Sequence, residues 1–223
     1  MLRVGLTGGV ASGKSTVGAM LARRGAKSID ADKIVHDLFR PGQPVYDEVV
    51  RHFGREIVQP DGGIDRKKLA DAAFGANRIR ELNQIVHPAV IAEQNRAMDE
   101  YEAQHRDGIA VVEAALIFEA GAAKRFDKII VVTCPREVKV ERFARRHALD
   151  YAAAEREVER RMAAQWPDER KAAGADFVID NSGSLAELEA KVGPVFEELI
   201  SALKAPQGPS TRARDVSPRP RSG

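Results

Sequence analysis

An α/β fold with a five-stranded parallel sheet is what this chain of 223 residues predicts, on three observations. Gly8-Gly9-Val10-Ala11-Ser12-Gly13-Lys14-Ser15 spells G-x-x-x-x-G-K-[ST] directly behind the apolar run from Leu2 to Thr7. Short runs rich in Val and Ile recur without polar alternation, as strands covered on both faces require. Longer amphipathic stretches separate most of them, the rhythm of a parallel sheet with crossover helices.

The first strand, Arg3–Thr7, feeds the glycine loop, and Thr16-Val17-Gly18-Ala19-Met20-Leu21-Ala22 continues from it as a helix. A strand, a Gly-rich turn and a helix in that order form a phosphate cradle. Successive backbone N–H groups point at nucleotide oxygens, and the helix adds its positive end. Lys14 is expected to reach the β/γ-phosphates and the Ser15 hydroxyl to ligate Mg²⁺. Gly8, Gly9, Ala11, Ser12, Gly13, Lys14, Ser15 and Thr16 make up the expected nucleotide-binding set.

The second strand, Ala26–Asp30, runs into Asp30-Ala31-Asp32, two carboxylates at a strand's carboxyl end. Ligands bind at that edge of an open α/β sheet. Phosphoryl transfer needs a group that orients the attacking hydroxyl and accepts its proton, and carboxylates that help hold Mg²⁺. Asp30 and Asp32 are placed for those tasks, although either can also cap a helix starting near Lys33. From Ala31 to Gly108 the pattern is helical, punctuated by turns at Pro41-Gly42-Gln43-Pro44 and Pro60-Asp61-Gly62-Gly63.

The third strand, Ile109–Glu113, ends on a carboxylate with two readings, a group acting through water on Mg²⁺ or a structural one. The fourth, Lys128–Thr133, ends at Cys134, the single cysteine. One cysteine excludes an intrachain disulfide and fits a reducing, cytoplasmic compartment. Its expected role is a small buried residue. Between Arg142 and Ala175 the helical pattern returns, with a stop at Trp166-Pro167. Glu157 and Arg161 are spaced as a favourable i,i+4 pair on a solvated face. Arg161 is nonetheless expected to turn inward to substrate, since a lid over a triphosphate needs cations. The fifth strand, Asp176–Asp180, precedes a helix near Ser184–Lys204, whose Ser184-Leu185-Ala186-Glu187 start fits a capping box. One core sheet with two helical insertions accounts for the whole pattern.

A 43% hydrophobic and 30% charged composition is that of a soluble globular protein. No run approaches the ~18 apolar residues of a membrane span. The net charge of +2 is unevenly placed: from Lys204 onward five cations face one anion, so residues 1–203 carry −2. That sign is wrong for a surface tracking nucleic-acid phosphates, and the Pro/Ser/Arg tail reads as disordered. The remaining histidines, His36, His52, His105 and His147, have no metal-binding spacing. A GTPase-like switch is disfavoured because no asparagine is followed by lysine.

Leu6 to Thr16, Ile29-Asp30-Ala31-Asp32-Lys33-Ile34, Ile85-Val86-His87-Pro88, Leu116-Ile117-Phe118-Glu119, Arg142 with Arg146, Arg161 with Gln165, and Ala175 to Gly183 together resemble the dephospho-CoA kinase family. The resemblance spans about residues 2 to 203. It implies a P-loop NTPase core (2–34, 109–141 and 176–203), a helical substrate insertion at about 35–108, and a lid at about 142–175. Residues 204–223 would be a basic tail. It further implies ATP-dependent phosphorylation of the 3′-hydroxyl of dephospho-CoA, with Mg²⁺ as cofactor and no nucleic-acid or membrane partner. The enzyme would be a monomer or weak homo-oligomer.

By the same resemblance, Asp32 sits by the acceptor hydroxyl, and Asp30 supports the magnesium site or Asp32 itself. His87 lies in the substrate insertion, Arg142 and Arg146 enter the lid, and Asn181 is near the adenine of ATP. Two residues depart from the family pattern. Ala11 stands where Gly is common, so position 11 is expected to keep a negative φ. Ala115 replaces a common Pro, which predicts a less rigid turn before Leu116.

Overall fold

The computed structural model of the protein describes residues 1–73 and 76–205. In chain order the first elements are β1 (Leu2–Gly8), α1 (Lys14–Arg23), β2 (Lys27–Asp30), α2 (Ala31–Leu38), α3 (Pro44–Phe53), α4 (Arg66–Ala72) and α5 (Ala76–Gln104). They are followed by β3 (Ile109–Glu113), β4 (Lys128–Thr133), α6 (Arg136–His147), α7 (Tyr151–Ala163), α8 (Asp168–Ala173), β5 (Phe177–Asp180) and α9 (Leu185–Lys204). All five expected strands are present within a residue or two of their predicted ends. Of the tail expected from 204, Lys204 closes α9, and residues 206–223 lie outside the described residues.

The strands form one sheet in the order β2-β3-β1-β4-β5. β1 pairs in parallel with β3 on one side, Val4 opposite Val111, and with β4 on the other, Leu6 opposite Ile130. A parallel sheet needs helices on both faces, so its central strand sees no water. Val4 and Leu6 are fully buried, as are Val17 and Leu21 of α1 and Val192 and Leu199 of α9, all in one cluster. Each such aliphatic side chain contributes roughly 1.5–3 kcal/mol. Ser184 caps α9 as expected, its hydroxyl accepting from Glu187 N–H while Glu187 accepts from Ser184 N–H. β1 lies between neighbours that the chain reaches in opposite directions. The loop after β1 therefore leaves the sheet at a topological switch point, where such sheets bind ligands.

The chain divides into two compact units. One contains Met1–Ile29 and the chain from Tyr101 on, with the sheet; the other is Asp30–Glu100. In the second unit, Pro44 occupies the first turn of α3, where its missing N–H costs nothing. Asp65 caps α4 by accepting from Lys67 N–H at 2.9 Å and Lys68 N–H at 3.0 Å. Val45, Val49, Phe53, Ile57 and Leu69 are buried there. The described residues of this unit include one isolated antiparallel bridge, Val58 with Ile64. No helix among the described residues is long and apolar enough to cross a membrane.

Candidate active site

The phosphate loop is shaped by what its neighbours leave room for. A Cβ on Gly8 would lie 2.2 Å from the Val132 carbonyl oxygen, so only glycine passes there. Gly13 precedes α1 with φ 94, and a Cβ on it would lie 2.1 Å from Asn181 Nδ2. Both left-handed backbone and close approach demand glycine at this position. The first N–H groups of α1 have no carbonyl a turn earlier to accept them, which makes Gly13–Ser15 an anion-receiving helix start.

Ala11 corrects the sequence reading. Its φ is 53, in the left-handed region, where negative φ is expected for a residue with a Cβ. Such a conformation costs about 1 kcal/mol or more. Ala11 packs against the small apolar cluster of Val10, Val140, Phe143, Ala154 and Val158. That packing is the compensation the sequence did not reveal.

Two side chains of the loop turn to carboxyl or carbonyl oxygens. Lys14 Nζ donates to the Gly9 carbonyl at 3.2 Å. Ser15 Oγ donates to Glu113 Oε1 at 2.6 Å, joining α1 to the end of β3. This bond joins Glu113, one of the open readings above, directly to the expected magnesium ligand.

Asn181 follows β5 and braces the loop from its flank. Its Nδ2 donates to the Ser12 carbonyl at 2.8 Å, and its Oδ1 accepts from Arg142 Nη2 at 3.3 Å. Among the described residues, Arg142 Nη1 and Ser12 Oγ are buried without a hydrogen-bond partner. Buried donors are normally satisfied, so this guanidinium nitrogen and hydroxyl keep hydrogen-bonding capacity beside the loop. Arg146 is exposed in the last turn of α6. Arg161 is exposed too, donating to Glu157 at 2.7 Å, with its guanidinium 5.1 Å from the Phe143 ring centre. Thr16 is half-buried in the first turn of α1.

Two buried lysines escaped the sequence reading. Lys139 pairs with Asp168 at 2.6 Å. Lys171, wholly buried, donates to the Ala115 carbonyl at 3.1 Å and pairs with Glu119 at 3.0 Å. Thr7 Oγ1 donates to the same Ala115 carbonyl at 3.1 Å. The turn before Leu116 is thus held by hydrogen bonds from two sides in place of a proline ring. The one signal in the sequence is weak: Lys139 sits between Val138 and Val140 on a helix. Cys134 is buried as expected, and burial pushes its thiol up, away from reactivity.

In the second unit, Asp30 is the cap of α2. Its Oδ1 accepts from Asp32 N–H at 2.8 Å and Lys33 N–H at 3.3 Å. Asp32 stands exposed in the first turn of that helix. His87 is half-buried in α5 just before Pro88, and burial holds its imidazole below the usual range. Among the described residues no cluster of three or more His, Cys, Asp or Glu is arranged to hold a metal by itself.

The chain is similar to known proteins along most of its length. A family model described as dephospho-CoA kinase matches residues 2–187. A dephospho-CoA kinase of Aquifex aeolicus is 44% identical over 200 residues, covering 89% of this chain and 98% of its own length. Among solved structures, a Thermus thermophilus protein superposes with a TM-score of 0.72 at 33% identity, covering 89% of this chain and 97% of its own. A dephospho-CoA kinase from Campylobacter jejuni superposes with a TM-score of 0.56 at 26% identity, covering 88% of this chain and 96% of its own.

Proposed function

Because the chain belongs to the dephospho-CoA kinase family, we infer that it transfers the γ-phosphoryl group of ATP to the ribose 3′-hydroxyl of dephospho-CoA, giving CoA and ADP in the last step of CoA synthesis. The observation that carries this reading is the loop Gly8–Ser15 with Arg142 Nη1 buried and unmatched beside it. A new bond forms between the acceptor oxygen and the γ-phosphorus, the bond to the β–γ bridging oxygen breaks, and ADP leaves. The acceptor proton needs a base, and the rest of the work is positioning and charge neutralisation.

The residues divide that work. Backbone N–H groups of Gly9–Ser15 hold the β- and γ-phosphates. Lys14 leaves the Gly9 carbonyl to follow the charge that shifts toward the leaving ADP. Arg142 supplies a second cation, its guanidinium held by Asn181, and a group held in place before the reaction costs no reorganisation during it. Arg146 and Arg161, both exposed, reach the phosphates only when the segment 142–175 closes as a lid and excludes water. Asn181 holds loop and Arg142 together and borders the adenine side. His87, kept neutral by burial, offers a hydrogen bond to dephospho-CoA. Asp32 orients the 3′-hydroxyl and takes its proton, a task suited to an exposed carboxylate.

Magnesium prefers hard oxygen ligands, and the Ser15 hydroxyl already bonded to the Glu113 carboxylate fits it. Ser15 would hold the ion, Glu113 would act through Ser15 or a water, and Asp30 would be a supporting carboxylate. When bound, the ion would neutralise phosphate charge. We place the enzyme in the cytoplasm, in line with its single buried cysteine, as a monomer or weak homo-oligomer.

The test is release of ADP from ATP and Mg²⁺ with and without dephospho-CoA, with the product's mass determined. Release that depends on dephospho-CoA and yields CoA supports the reading. Turnover on another alcohol with silence on dephospho-CoA would overturn the substrate and keep the fold.

A further inference from the structure

An ion pair joins α6 to α8 at the base of the segment that carries α7. Lys139 in α6 donates from Nζ to Asp168 Oδ2 at 2.6 Å, and Asp168 opens α8. The two residues are 29 apart in sequence and bracket α7 completely. Their side chains are 3% and 17% exposed. A buried pair gains little stability, because the cost of removing both charges from water offsets their attraction. Its location therefore carries the meaning.

That location is the phosphate loop. A Cβ on Gly9 would lie 2.9 Å from Asp168 Oδ1 and 3.1 Å from Lys139 Nζ. The carbonyl of the same Gly9 accepts from Lys14 Nζ at 3.2 Å. The next residue, Val10, lies in the cluster of Val140, Phe143, Ala154 and Val158 from α6 and α7. Both stems of the helical segment and the loop's Gly9–Val10 step thus meet at one point. Lys139 reaches Gly9 from its Cα side, and Lys14 reaches it from its carbonyl side.

We propose that Lys139 and Asp168 are positioning residues for nucleotide binding: their ion pair clasps the base of α6–α8 onto Gly9 and keeps the loop in the shape that receives phosphates. The pair is neutral as a whole, so it exerts little long-range pull on an anion. Its effect passes through the backbone of Gly9, which it holds in place before the ligand arrives, and a preformed site loses less ordering entropy on binding. The proposal rests on the nucleotide-binding reading of the loop.

The experiment titrates the full chain with Mg·ADP by calorimetry, well below the melting temperature of each variant. The proteins are wild type, Lys139→Met, Asp168→Asn and the double variant, with circular dichroism as the check of folding. Val192→Ala in α9 serves as a protein destabilised in the main core, away from the pair. The expected result is a Kd raised at least fivefold in each single variant. The double variant should bind no more weakly than the weaker single, since two residues acting as one unit are not additive. Val192→Ala should lower Tm and keep Kd within twofold of wild type.

A Kd within twofold of wild type in folded Asp168→Asn would overturn the proposal, as would additive weakening in the double variant. A comparable loss of affinity in Val192→Ala would also overturn it, by showing that lowered stability suffices. If Lys139→Met does not fold, Asp168→Asn alone decides. A wild-type protein that does not bind Mg·ADP would instead bring down the nucleotide-binding reading itself.

Discussion

Asn181 Nδ2 donates to the carbonyl of Ser12 at 2.8 Å, a bond between residues 169 apart in the chain. It ties the end of the last strand to the phosphate loop after the first. The same amide fills the space that a side chain on Gly13 would need. Glycine and asparagine here are one fitted pair. Truncating Asn181 to Ala would leave the Ser12 carbonyl unmatched and free Arg142 from its Oδ1 partner. The expected cost is about 1–3 kcal/mol of stability for the buried unmatched group, with KM for ATP raised roughly tenfold (about 1.4 kcal/mol of binding). Thermal melts and initial-rate kinetics check both.

Ala11 occupies a left-handed position that glycine adopts without strain. Ala11→Gly relieves about 1 kcal/mol or more of strain. It also forfeits a methyl packed against the Val10 cluster and adds freedom to the unfolded chain. These terms nearly cancel, so the melting temperature should hardly move and turnover should persist. Ala11→Val has no such balance, because a β-branched residue is a true outlier at positive φ. It should lose at least about 2 kcal/mol, by the range for strained backbone positions, together with most ATP affinity. Equal behaviour of the two variants would contradict the assigned conformation.

Glu113 is tied to the magnesium question through Ser15. Replacing it with Gln keeps the hydrogen bond and removes the charge. The expected outcome is a several-fold rise in the Mg²⁺ concentration needed for half-maximal rate, with recovery at saturating metal. A rate lowered equally at all Mg²⁺ concentrations would make Glu113 structural. Chelating the metal should abolish transfer altogether.

His87 gives a pH dependence with a definite sign. Burial lowers its folded-state pKa below the ordinary 6.5. Above that ordinary value the ring is neutral in both folded and unfolded chains, and its full contribution to stability is present. As pH falls below it, the unfolded chain takes up the proton first, and stability is lost progressively down through the folded pKa. Urea midpoints at pH 8, 6 and 5 should fall in that order, and His87→Asn should flatten the part of the slope between pH 7 and 5.

Much of this is legible in the sequence. The five strands and the Ser184–Glu187 capping box follow from apolar runs and cap spacing, which are local signals. The loop's chemistry follows from a contiguous motif. What stayed hidden depends on residues far apart in the chain. The Asn181–Ser12 bond, the Glu113–Ser15 bond and the Lys139–Asp168 pair each join segments that only the fold brings together. A lysine on a helix reads as solvated, and nothing local distinguishes the wholly buried Lys171 from an exposed one. Ala11 misled because residue type argues against positive φ, whereas tertiary packing decides it.

The central claim is that Asp32 serves the acceptor hydroxyl while Lys14, Ser15 and Arg142 serve ATP. The most direct test is Asp32→Asn, with kcat measured on dephospho-CoA and Kd measured for Mg·ATP. The account predicts a kcat lower by at least about a hundredfold, the ordinary scale of general-base catalysis, and ATP affinity within about threefold of wild type. A nearly unchanged kcat, or a loss of ATP affinity as large as the loss of rate, would contradict it.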